Sequence, residues 1–97
     1  MQRRSAADGR LFGLWVSEPG AAERVTIDFG RDGEMVYTIH GEDKVQKIFR
    51  EFTTRDGVIV TNQSSERRSD ETQYEFAADG KLILSYQGQI ARFVRLE

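Results

Sequence analysis

The sequence predicts an all-β fold: an eight-stranded up-and-down antiparallel meander closed into a small barrel. Three observations predict it. Asp-Gly pairs recur at Asp8-Gly9, Asp32-Gly33, Asp56-Gly57 and Asp79-Gly80, spaced by 24, 24 and 23 residues. A second set of turn signals, SEPGA, HGED, NQSSERRSDE and YQGQ, falls between them and after the last. The stretches between turns are short and alternate apolar with polar residues. Asp-Gly suits tight hairpins because both residues tolerate positive φ. One strand and one turn in every dozen or so residues is the rhythm of a sandwich or barrel.

The chain has 97 residues, enough for one domain. A chain of this size buries roughly 60–65% of its unfolded surface, so one core is feasible without staples. There is no cysteine, hence no disulfide, thiolate metal site or thiol nucleophile. A reducing compartment is compatible with that, and the expected location is cytoplasmic. The opening MQRRSAADGR carries arginines with no apolar segment behind them, so it does not read as a signal peptide. Residues 1–10 are expected to be a loosely held tail, and 11–97 the barrel domain. Fourteen basic and 16 acidic residues are interspersed, with net charge −2. The pI of about 5.4 argues against a nucleic-acid partner. No apolar run is long enough for a transmembrane helix, and no membrane partner is expected.

The strands follow in order. FGLWVSE is the first and holds Trp15. ERVTIDF places Val25, Ile27 and Phe29 on one face. EMVYTIH groups Met35, Tyr37 and Ile39. The segment EDKVQKIFREFTTR is ambiguous: apolar residues at 45, 48, 49 and 52 fit a helix template. The 24-residue period and the hairpin signal FTTRDGVIVT favour a strand, with a bulge near 48–49 that sends Val45, Phe49 and Phe52 inward. GVIVTN, TQYEFA and KLILSYQ complete the middle, the last two burying Tyr74, Phe76, Leu82, Leu84 and Tyr86. QIARFVRLE offers either Ala91, Phe93 and Arg95, or Ile90, Arg92, Val94 and Leu96, to the interior.

Alternating turns put all four Asp-Gly pairs and both ends of the meander together. The even strand number lets strand eight pair antiparallel with strand one and remove the sheet edges. An arginine of the last strand then falls near Trp15, where a cation–π contact is worth about 0.5–2 kcal/mol.

Gly13-Leu14-Trp15 in the first strand, the meander and the terminal RFVR resemble the lipocalin and calycin-like small barrels. The likeness is greatest to short bacterial lipocalin-like domains of unassigned function. It implies a Gly-x-Trp opening of strand one, with a late arginine packed across the tryptophan at the closed end. Here Gly13, Trp15 and Arg95 match, with Arg92 the other candidate for the arginine. It also implies small apolar ligands taken through the opposite mouth. The chain is much shorter than a full lipocalin, shows no clear C-terminal helix and lacks the family's other loop motifs.

An eight-stranded barrel is just wide enough to be filled by side chains or to hold one small ligand. The bulky inward candidates include Trp15, Phe29, Phe49, Phe52, Phe76 and Phe93, and they favour a filled interior. The tyrosines argue for a polar-lined mouth. Tyr37, His40, Tyr74 and Tyr86 are the candidate ligand-binding residues, around a mouth of residues 18–21, 40–43, 63–71 and 86–88. NQSSERRSDE is either a partner-contacting mouth loop or a flexible insert. The lone His40 with Glu42 and Asp43 makes a poor metal cage, and no metal or cofactor is expected. A triad of His40, Ser64 or Ser65, and Asp70 lacks any positioning signal. The expected function is therefore non-enzymatic: a barrel that binds a small apolar or aromatic molecule or a peptide at one mouth. The alternative is a filled barrel acting as a protein-interaction or homodimerisation module, with some of Val45, Ile48 and Phe52 facing outward as an apolar patch.

Overall fold

The computed structural model describes residues 7–62 and 69–96. A short 3-10 helix at Gly9–Leu11 precedes eight strands: β1 (Gly13–Ser17), β2 (Arg24–Phe29), β3 (Glu34–His40), β4 (Val45–Arg55), β5 (Val58–Asn62), β6 (Ser69–Phe76), β7 (Leu82–Tyr86) and β8 (Gln89–Arg95). Each strand pairs antiparallel with the next, and the sheet closes into a barrel. The seam joins β1 to β8 in the register Trp15↔Arg95, Val16↔Val94 and Ser17↔Phe93. Backbone bonds from Glu18 N–H to the Arg92 carbonyl, 3.0 Å, and from Leu96 N–H to the Leu14 carbonyl, 2.8 Å, extend it. No sheet edge remains among these eight strands.

The Asp-Gly pairs make three different structures. At 56–57 both residues have positive φ, 52° and 79°, as a two-residue hairpin demands. At 32–33 and 79–80 only the glycine does. There the aspartate Oδ1 accepts from the N–H two residues on, Glu34 at 3.0 Å and Lys81 at 3.1 Å. Bonds from Gly33 N–H to the Gly30 carbonyl and from Gly80 N–H to the Ala77 carbonyl tighten the two turns. Asp8-Gly9 is not a hairpin at all: Asp8 caps the 3-10 helix.

β4 is a strand, as the 24-residue period requires, and it runs without the expected bulge. Its register with β3 is unbroken from Glu34↔Glu51 to His40↔Val45. Even-numbered residues therefore face in, and Ile48, Arg50 and Phe52 share the interior face. Phe49 and Val45 face outward instead, Phe49 being 61% exposed. The reason is the strict two-residue alternation: Phe52 is buried, so Phe49, three residues away, must take the opposite face. In β8 the register with β7 sends Ala91, Phe93 and Arg95 inward.

Two further expectations are corrected. The loop expected over 62–71 is shorter at both ends, because Asn62 pairs with Ser69 and Thr61 with Asp70. Residues 63–68 of that segment lie outside the described residues. The tail expected over 1–10 does not extend through residues 7–10: Ala7 packs on the core, and the Asp8 N–H donates to Thr54 Oγ1 at 2.8 Å. Residues 1–6 lie outside the described residues.

The core is Leu11, Trp15, Val25, Ile27, Phe29, Met35, Phe52, Ile59, Leu82 and Phe93. Phe29 and Phe52 meet edge to face at 5.1 Å, an arrangement the ring quadrupoles favour. The two phenylalanines of β4 should differ sharply on truncation. Phe52→Ala should cost about 3–5 kcal/mol, and Phe49→Ala under about 1 kcal/mol. Urea midpoints of the two variants check this, and equal losses would contradict the register of β4.

Candidate functional site

The hairpins β2–β3, β4–β5 and β6–β7 share one end of the barrel with the 3-10 helix. Trp15 lies toward that end and is buried. Its Nε1–H donates to the Leu11 carbonyl at 2.9 Å, which pins the 3-10 helix across the barrel floor. The Arg95 guanidinium lies 4.4 Å from the indole centroid. It also donates to the carbonyls of Phe12 and Arg10, tying the seam strand to the approach of β1. Gly13 has φ +122°, a conformation that side chains disfavour, as the chain turns from the 3-10 helix into β1. Arg95 and Trp15 thus stack beside the chain that Gly13 leads into β1.

A polar cluster reinforces this floor. Asp8 Oδ2 accepts from Arg10 at 2.7 Å and from the Tyr74 hydroxyl at 2.8 Å. Asp8 Oδ1 accepts from the Arg10 backbone N–H and Nε–H, both at 3.0 Å. The Arg10 hydrogen bonds, helped by Tyr74, hold the Asp8 carboxyl far below its ordinary 3.8. Burial and the bond to Asp8 push the Tyr74 phenol up. Arg10 also lies over the Phe76 ring at 4.5 Å.

Tyr74 is therefore misplaced in the sequence-based site. β6 starts earlier than expected, so Tyr74 falls near its far end and its hydroxyl reaches Asp8, away from the mouth. His40 is likewise not in the interior. It pairs with Arg24 and Val45 on the outer face, with Nε2 3.4 Å from Thr26 Oγ1. His40 and Asp70 thus lie on opposite faces of the wall, and Ser64 and Ser65 lie outside the described residues. Among the described residues no group of three or more His, Cys, Asp or Glu is placed to hold a metal ion.

The rings expected inward do not occupy all of the space within the wall. A cavity of about 370 Å³ opens toward the other end. Ile27, Phe29, Ile59, Leu84 and Phe93 form its apolar wall, and Tyr37 and Tyr86 belong to it. The space arises because Phe49 points out and because Thr61, Thr72 and Ala91 present short side chains inward. Tyr86 sits at the rim, its oxygen accepting from Gln87 Nε2 at 3.4 Å. Tyr37 lies deeper, and burial with the nearby Glu23 pushes its phenol up.

Sequence reasoning missed Arg50 and considered Asp70 only as a member of a rejected triad, not as the partner of an arginine in this cavity. Arg50 of β4 and Asp70 of β6 both line it and meet at 3.3 Å from Nη1 to Oδ2. Both side chains are half-buried. The signal was present: Arg50 stands between Ile48 and Phe52 on one face, and Asp70 shares parity with Thr72, Tyr74 and Phe76.

Compared with known proteins, the chain matches no family model, no curated protein and no solved structure.

The Asp8 cluster predicts an acid-sensitive floor. A carboxyl whose folded value lies below its unfolded one stabilises fully above the unfolded value and loses that effect as pH falls. Asp8→Asn should cost about 1–2 kcal/mol near pH 7 through lost charge-assisted bonds. The gap between variant and parent should narrow as pH falls from about 5 through the ordinary carboxylate range. Urea unfolding at stepped pH checks this, and a constant gap would contradict it.

Proposed function

We propose that this protein is a non-enzymatic barrel that takes a small, largely apolar molecule into its interior through the mouth opposite Trp15. The observation that carries this reading is the cavity of about 370 Å³, with an apolar wall and a few convergent polar groups. Binding pockets characteristically combine those two features. At roughly 30 Å³ per water-sized atom, the space suits a ligand of about a dozen non-hydrogen atoms. A finer kinship with lipocalin and calycin-like barrels is part of the same proposal. It is supported by the closed eight-stranded shape and by the stacking of Arg95 on Trp15.

Against catalysis stands the make-up of the cavity. Among its described residues the carboxylate, Asp70, is already paired with Arg50, and no histidine faces in. A water-facing outer wall is supported by Arg24, Asp28, Lys47, Glu51, Glu71, Glu75 and Arg92, all exposed. A lipid-facing wall disfavours such charges. No helix among the described residues is long and apolar enough to cross a membrane.

The test is a thermal titration with 2-naphthol and with octan-1-ol. A ligand at ten times its Kd adds about 1.4 kcal/mol to stability, a rise of several degrees for a chain of this size. Ala91→Phe and Thr72→Phe, each filling the cavity, should abolish the rise. A rise that survives both fillings would place binding elsewhere.

One observation favours a second reading, a homodimer through the outer wall: Phe49 and Val45 are exposed on the same face of β4. Sedimentation across micromolar concentrations should then show a dimer that Phe49→Glu dissolves. A monomer at every concentration removes this reading.

A further inference from the structure

The cavity is apolar over most of its wall yet holds one ion pair, and the pair is incompletely used. The Arg50 guanidinium spends one N–H on Asp70 in a single long contact. A guanidinium has five N–H donors and can take a carboxylate in a two-pronged grip. Asp70 Oδ2 receives the bond, while among the described residues Oδ1 accepts none. Thr61 lies next to Asp70 in the sheet and Thr72 two residues along the same face. One side of the cavity thus presents donors and an acceptor next to each other. The other side is apolar at Ile27, Phe29, Leu84 and Phe93, and its uncharged polar groups are those of Tyr37, Tyr86 and Gln89.

The charge balance then decides what fits. Among the described lining residues the charged groups are one guanidinium and one carboxylate, which cancel. A ligand anion drawn to Arg50 would place a second carboxylate beside Asp70 in a half-buried site. A ligand cation drawn to Asp70 would sit beside Arg50. Like charges at such range disfavour ionisation of one of them. A neutral head that both donates and accepts leaves the balance intact and uses the free Oδ1 and the spare N–H groups together.

We infer that the cavity selects a neutral amphiphile, an apolar body with an amide or hydroxyl head seated between Arg50 and Asp70, over the acid or the amine of the same body. This rests on the cavity being the binding site. The head is held by the ion pair, and the body lies against Ile27, Phe29 and Phe93.

Titration calorimetry of the full chain at pH 7 tests it with octanamide, octan-1-ol, octanoate and octylamine. The neutral pair should bind at least tenfold tighter than the charged pair. Asp70→Asn leaves Arg50 unopposed and should raise octanoate affinity at least tenfold relative to octanamide. Arg50→Gln leaves Asp70 unopposed and should favour octylamine in the same sense, so either variant suffices if the other does not fold. Octanoate or octylamine binding the parent as tightly as octanamide would overturn the selectivity while leaving the cavity as the site. Binding by none of the four would overturn the cavity reading itself, and this one with it.

Discussion

The barrel depends on one seam, where β8 returns to β1 beside Trp15. Short strands leave few ladder bonds at that seam, and three registered pairs join the two strands. The indole supplies what the ladder lacks. It buries its face in the core, hands its one N–H to Leu11, and carries the Arg95 guanidinium on its ring. Arg95 in turn binds the carbonyls of Phe12 and Arg10, which lie outside any strand and would otherwise face water alone. Strand one, strand eight and the chain leading into the barrel are thereby fixed through a single ring. An opened seam would expose two strand edges at once, the condition that invites edge-to-edge association.

A second consequence is that the two ends differ in kind. At the end with the 3-10 helix the Trp15 and Phe76 rings lie 6.1 Å apart, and Asp8 joins Arg10 to Tyr74. Toward the mouth several inward positions, among them Thr61, Thr72 and Ala91, carry short side chains that leave space between the larger residues. A barrel of this strand number sits at the boundary between filled and hollow. The choice of side chains at a handful of inward positions therefore decides which half is solid and which is open.

Much of the fold was legible because hairpin chemistry and alternation are local. The glycines at 33, 57, 80 and 88 all carry positive φ, and each closes a turn the sequence announces. Parity was legible wherever a strand alternates cleanly, as in Val25, Ile27 and Phe29. It failed in β4, where Ile48 and Phe49 are adjacent and apolar, so local pattern fits two registers and only pairing with β3 selects one. The site was less legible than the fold. Tyr74 and His40 drew notice by residue type, but type does not say which end or which face a side chain reaches. Arg50 was passed over because charged residues are ordinarily read as solvated, and Asp70 was weighed only with His40 and the serines. Their partnership spans 20 positions and is visible only once β4, β5 and β6 stand side by side.

That partnership has little to recommend it as a source of stability. A partly solvated pair with one long contact contributes at most a modest amount. Removing both charges from water also carries a desolvation cost that apolar residues of similar volume avoid. Two aliphatic side chains at positions 50 and 70 would fill the cavity from β4 and β6 and extend the core formed by Phe52 and Ile59. The chain instead keeps space at its centre and lines one side of it with complementary charge. Packing alone gives no reason for that combination, whereas recognition of a molecule with a polar head and an apolar body requires both parts of it.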